Sequence, residues 1–138
     1  MPAPVTRSGG CHCGAIRYEV TGEPVAVSIC HCEDCRRCAG APFVCWADFA
    51  EGEFRVTQGT LRTRNSSGAA MRSICGDCGS GIAYTNAEVL PGLIALQTAT
   101  LDEPDAFAPT LQVQVAERLR WIPELHALPA HERYPGHT

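Results

Sequence analysis

The cysteines constrain this chain more than anything else in it. Nine of its 138 residues are cysteine, and most fall into three tight groups: Cys11-His12-Cys13, Cys30-His31-Cys32-Glu33-Asp34-Cys35, and Cys75-Gly76-Asp77-Cys78. An odd count, in a chain whose opening Met1 to Gly10 carries no apolar export segment, fits disulfides poorly. The expected compartment is therefore the cytoplasm, and the expected use of the thiols is metal binding. Zinc takes four thiolate or imidazole ligands in a tetrahedral structural site. A C-x-x-C turn aims both sulfurs at one point, and Gly76 and Gly79 supply the flexible backbone that it needs. Cys11, Cys13, Cys75 and Cys78 make one complete four-sulfur set, stapling two hairpins that lie far apart in sequence. Cys30, Cys32 and Cys35 remain. Three protein ligands and one open position is the composition of a catalytic zinc, so the count predicts two Zn2+ per chain.

Other assignments of the same residues stay open at this point. Cys38 follows Cys35 by three residues and could close a second four-sulfur cage, leaving two structural sites and no open position. Cys45 sits among alternating apolar residues and reads as packing. His12 and His31 could each replace a sulfur, but a residue between paired ligands points away from them. His126, His131 and His137 match no metal spacing. Arg36 and Arg37 follow the triad and could clamp substrate carboxylates in bidentate pairs or simply be solvated. Arg62, Arg64 and Arg72 carry the same two readings, and Ser66-Ser67 reads as a plain turn.

The scaffold reads as all-β. Apolar residues alternate at period two through Ile16, Tyr18 and Val20, through Val25, Val27 and Ile29, and through Phe43, Cys45, Ala47 and Phe49. Shorter runs follow at Phe54 and Val56, Leu61, Ile82 and Tyr84, and Leu93 to Leu96, with one or two strands between Leu111 and Trp121. Thr21-Gly22-Glu23-Pro24, Gln58-Gly59, Asn65-Ser66-Ser67-Gly68 and Pro91-Gly92 punctuate them. Helical signal is confined to single turns at Asp34 to Ala39 and Thr85 to Glu88. The expected organisation is one zinc-binding domain over residues 1–122 and an extended tail, 123–138, packed on it. The formal net charge of −4 argues against a nucleic-acid partner held by phosphate contacts. No segment approaches the roughly 20 apolar residues of a membrane helix. A thioredoxin-type use of Cys75 and Cys78 would want a βαβ unit, and none is visible.

With these residues in view, the chain resembles the glutathione-dependent formaldehyde-activating enzyme family, which includes centromere protein V-like domains. The resemblance is carried by Gly10-Cys11-His12-Cys13-Gly14, by Cys30 through Arg37, by Gly40-Ala41-Pro42-Phe43 with the Trp46 strand, and by Arg72 followed by Cys75-Gly76-Asp77-Cys78-Gly79-Ser80. It runs from about Gly10 to Trp121. It implies a fold of the Mss4-like, or β-tent, type, a structural zinc at Cys11, Cys13, Cys75 and Cys78, and a catalytic zinc at Cys30, Cys32 and Cys35. It further implies a carbon–sulfur lyase joining a small-molecule thiol, glutathione, reversibly to an aldehyde, formaldehyde. The alternative is a non-catalytic zinc-binding interaction module with two structural sites. Gln112 departs from the family pattern, standing where a histidine is often found.

Overall fold

The computed structural model describes residues 3–137. Its strands are β1 (Thr6–Gly10), β2 (Arg17–Thr21), β3 (Ala26–Cys30), β4 (Val44–Ala50), β5 (Phe54–Gln58), β6 (Leu61–Ser67), β7 (Ala70–Cys75), β8 (Gly81–Asn86), β9 (Leu93–Gln97) and β10 (Leu111–Val113). One helix, α1 (Glu33–Ala39), interrupts them, and the remaining helical pieces are 3₁₀ turns. The fold is mainly β. A three-stranded antiparallel sheet has the order β1-β2-β5, and a seven-stranded sheet has the order β10-β3-β4-β9-β8-β7-β6, with only β10 and β3 parallel.

Strand β4 shows how period two organises the interior. Its Ala47 and Phe49 point into a core shared by the two sheets, where Tyr18 and Val20 of β2 meet Ile82 of β8 and Leu96 of β9. Its Val44 and Trp46 point the other way, into a second cluster with Cys30, Cys35 and Ala95. Alternate side chains of one strand therefore build two layers. Cys45 packs against the first core, as the apolar alternation predicts.

The structure departs from the sequence reading in several places. The Thr85 to Glu88 turn begins later than expected, because β8 continues through Thr85 and Asn86, which pair with Met71 and Ala70 of β7. Between Leu111 and Trp121 there is one three-residue strand, followed by a 3₁₀ turn at Val115–Glu117. Another 3₁₀ turn, Ile122–Ala127, opens the last stretch, and Ile122 and Leu125 approach the back of β3. Helix α1 runs for seven residues rather than one turn. It has Cys32 as its N-cap, Glu33 and Asp34 in its first turn, and Gly40 in a left-handed C-cap at φ 62°.

Gly59 turns the chain from one sheet into the other. Its φ is +80°, and a Cβ there would lie 2.4 Å from the Ala15 carbonyl oxygen and 2.8 Å from Ile16 Cδ1. Left-handed backbone and backbone contact act together, so Gly59→Ala is expected to cost about 2 kcal/mol in a denaturant melt. A loss below about 0.5 kcal/mol would show that the turn yields freely.

Candidate metal centres and cavity

The first sulfur cluster lies where the two sheets meet. Cys11 and Cys13 occupy the turn between β1 and β2, in the smaller sheet, while in the larger Cys75 ends β7 and Cys78 lies in the turn to β8. All four sulfurs lie within 4.8 Å of one another. Cys11 Sγ is 3.6 Å from Cys13 Sγ, and Cys13 Sγ is 3.8 Å from Cys75 Sγ. Local backbone makes each half. The Gly14 amide donates to the Cys11 carbonyl and the Gly79 amide to the Cys75 carbonyl, with Gly79 at φ +82°. Amides are also aimed at sulfur: Ile16 N donates to Cys11 Sγ at 3.2 Å and Cys78 N to Cys75 Sγ at 3.4 Å. Such donors stabilise thiolate over thiol. Four converging thiols bathed in amide donors suit a soft, tetrahedral metal ion. His12 is exposed and outside the set, and its amide donates to Ser80 Oγ, which ties the two turns together.

The second cluster is Cys30, Cys32 and Cys35, again with sulfurs within 4.8 Å. Cys30 ends β3, Cys32 caps α1, and Cys35 sits in the first turn, where its amide donates to Cys32 Sγ at 3.2 Å. The triad could hold a metal ion. Cys38 does not join it: it is exposed at the far end of α1, with Arg64 Nη2 donating to its sulfur at 3.3 Å. The closed second cage that the spacing left open is therefore not formed among the described residues. His31 points away from the triad, fully buried behind β3, with Nε2 2.7 Å from Gln112 Oε1 and Nδ1 without a partner.

A cavity of about 430 Å³ opens beside the triad. Cys30, Cys32 and Cys35 line one end, Trp46 and Tyr84 its apolar walls, and Asp48 is also on its lining. The cation at this site is Arg72, not Arg36 or Arg37. Arg37 pairs with Glu33 on the exposed side of α1, and neither it nor Arg36 lines the cavity. Arg72 is buried, with Nη2 2.9 Å from Asp34 Oδ2 and 3.5 Å from Cys35 Sγ, and Nε 2.9 Å from Ser66 Oγ. Its guanidinium lies 4.9 Å from the centroid of the Tyr84 ring and 6.0 Å from that of Trp46. Ser66 and Ser67 each donate to Asp34 Oδ2 at 3.0 Å, so this pair is part of the site rather than a plain turn.

These contacts set the charges. Burial raises the Asp34 carboxyl, but hydrogen bonds from Arg72, Ser66 and Ser67 outweigh it and hold the group below its ordinary value. The Cys30 thiol donates to Cys35, and this together with Arg72 overcomes burial and brings Cys35 down to about 5. Negative charge in the triad thus collects on the sulfur that faces Arg72.

Sequence reasoning left Arg72 as one arginine among several, and gave no role to Asp34 or Asp48. The one signal for Arg72 was its place three residues before the third cysteine group. Gln114 was missed as well. It lines the cavity in left-handed backbone, φ 58°, the only non-glycine residue with positive φ among those described.

The sequence pattern of the family described as "Glutathione-dependent formaldehyde-activating enzyme" matches residues 6–117. The chain belongs to this family. A Schizosaccharomyces pombe protein named as an uncharacterized lyase is 32% identical over 80 residues, which are 56% of this chain and 58% of the relative. The chain therefore matches under two thirds of that relative's length. A crystal structure of a Rhodobacter sphaeroides protein superposes with a TM-score of 0.61 at 24% identity, covering 76% of this chain and 98% of that one, which shows the same fold. No helix among the described residues is long and apolar enough to cross a membrane.

Proposed function

We propose that this member of the family is a zinc-dependent carbon–sulfur lyase-type enzyme that reversibly joins a thiol of the glutathione kind to formaldehyde. The observation that carries the reading is the unequal pair of sulfur clusters: four sulfurs in one, and three in the other beside an open cavity. The family match and the lyase name of the Schizosaccharomyces pombe relative support it. Cys11, Cys13, Cys75 and Cys78 would hold a structural zinc, and Cys30, Cys32 and Cys35 a catalytic one.

A zinc ion held by the triad would supply Lewis acidity and lower the pKa of a substrate thiol. The rest falls to the chain. In the addition, substrate sulfur attacks the aldehyde carbon and a carbon–sulfur bond forms. The carbonyl π electrons go to oxygen, and the proton that left the thiol ends on the new hydroxyl. Arg72 places positive charge beside a triad that carries up to three negative ones, and Asp34, Ser66 and Ser67 hold that arginine in place. Trp46 and Tyr84 shield one side of the reacting centre from water.

Cys32→Ser tests the reading. It is expected to leave a folded protein with one zinc fewer and to lower glutathione-plus-formaldehyde turnover by more than about a hundredfold. Retention of full activity would overturn the catalytic role of the triad. Metal content and turnover are measured on the same sample.

A further inference from the structure

The cavity carries a charge for which the protein itself has no use. Asp48 projects from β4 on the same face as Trp46, two residues further along the strand. Its carboxylate has no hydrogen-bond or ion-pair partner among the described residues. By contrast, Arg7, Arg17, Arg37, Arg55 and Arg72 are each paired with some other carboxylate. Its register neighbours on β3 and β9 are Ala26 and Ala95, whose short apolar side chains offer it no partner. A half-buried carboxylate without a partner costs stability. Burial is also what pushes its pKa up. A group kept at such a cost, on the wall of a binding cavity, is suited to a cation that arrives with a ligand.

Its position says which cation. Cys30 stands opposite Val44, and Ala26 opposite Asp48, so four residues of strand separate the triad end of the cavity from the carboxylate. That is roughly 13 Å at the usual rise of a strand. In an extended γ-glutamyl-cysteinyl thiol, eight bonds separate sulfur from the α-ammonium nitrogen, a span of about 10 Å. With the sulfur at the triad, the remaining ~3 Å is the length of one ammonium–carboxylate hydrogen bond, so such a ligand reaches the aspartate.

We propose that Asp48 is a specificity-determining residue that receives the α-ammonium group of a γ-glutamyl thiol at the end of the cavity remote from the triad. The proposal rests on the thiol-binding function given above and adds the feature by which one thiol is chosen over others.

The test is a calorimetric titration of the zinc-supplemented protein with two thiols: glutathione, and its analogue in which a glutaryl group replaces γ-glutamyl, so that only the ammonium is missing. The parent protein is expected to bind glutathione about tenfold more tightly than the analogue. Asp48→Asn is expected to erase that preference. Removing an unpartnered charge should leave the variant melting at or above the parent, and Asp48→Ser repeats the measurement if the amide disturbs the fold. Equal affinity of the parent for both thiols, or a preference that survives in the variants, overturns the assignment of Asp48 while leaving thiol binding intact. Failure of the parent to bind either thiol overturns the thiol site itself, and this assignment with it.

Discussion

Replacing Cys75 with serine is expected to abolish cooperative unfolding of the whole chain. Cys75 is 1% exposed and belongs to the sulfur cluster and to the core between the sheets. The four-sulfur cluster is formed by one turn of the small sheet and one turn of the large, so it clamps the two together. Zinc bound by such a set contributes several kcal/mol or more to folding, because the unfolded chain has no preformed site. The two sheets share a modest core of which Tyr18, Phe49, Ile82 and Leu96 are the largest fully buried members, which leaves little reserve once the clamp is gone. Serine offers a hard oxygen on a shorter bond, a poor ligand beside three soft sulfurs. The expected readings are a broad, shallow melt, loss of native-like near-ultraviolet dichroism and, on the proposed zinc assignment, a fall in metal content. A Cys75→Ser protein that melts sharply, within a few degrees of the parent, would mean that the sheets are held by packing alone. Titrating the parent with a zinc chelator should produce the same loss, and protein stripped of metal should recover its sharp transition when zinc is returned.

The two halves of the four-sulfur cluster, and the triad, were legible because their geometry is local. A C-x-C or C-x-x-C turn with a following glycine brings its sulfurs together through hydrogen bonds spanning three or four residues, such as Gly79 to Cys75, and such bonds follow from sequence alone. Strands with a face in the core, β2, β3 and β4, were legible for a related reason: period two is imprinted by the interior that they face. The hairpin of β6 and β7 was not. Arg62, Thr63, Arg64 and Asn65 are exposed along β6, so no alternation marks it, and it is fixed by its ladder with β7. The same hairpin delivers Ser66, Ser67 and Arg72 to the triad. Their roles depend on a register that short-range sequence signals do not contain, and Ser66-Ser67 reads as a turn until Arg72 and Asp34 are placed beside it. Asp34 looks like an ordinary acidic residue of a helix first turn, and only the fold turns it toward Arg72.

Arg72→Met is expected to cost about 3 kcal/mol, which lowers the melting temperature by about 10 °C, and, on the proposed function, to depress glutathione-plus-formaldehyde turnover without lowering metal content. The arginine side chain is 7% exposed and the carboxylate of Asp34 33% exposed, so the pair is screened on one side only. Removing the cation strands more than one acceptor. Asp34 Oδ2 loses its charged donor and keeps only Ser66 and Ser67, while Ser66 Oγ and Cys35 Sγ lose a donor each. Methionine fills much of the volume between Trp46 and Tyr84, so the loss is mainly electrostatic rather than a cavity. Arg72→Lys separates charge from shape. A single ammonium cannot span Asp34, Ser66 and Cys35 as the planar guanidinium does, so lysine should recover only part of the loss. The double variant with Asp34→Asn isolates the pair. Once the carboxylate is neutral, removing the arginine no longer strands a charge, and the double variant should be at least about 1 kcal/mol more stable than the two single losses added together. Additive losses would mean that Asp34 and Arg72 act independently. Arg72 would then support the sheet through its stacking on Tyr84 and Trp46, and the charge it brings to the triad would be incidental.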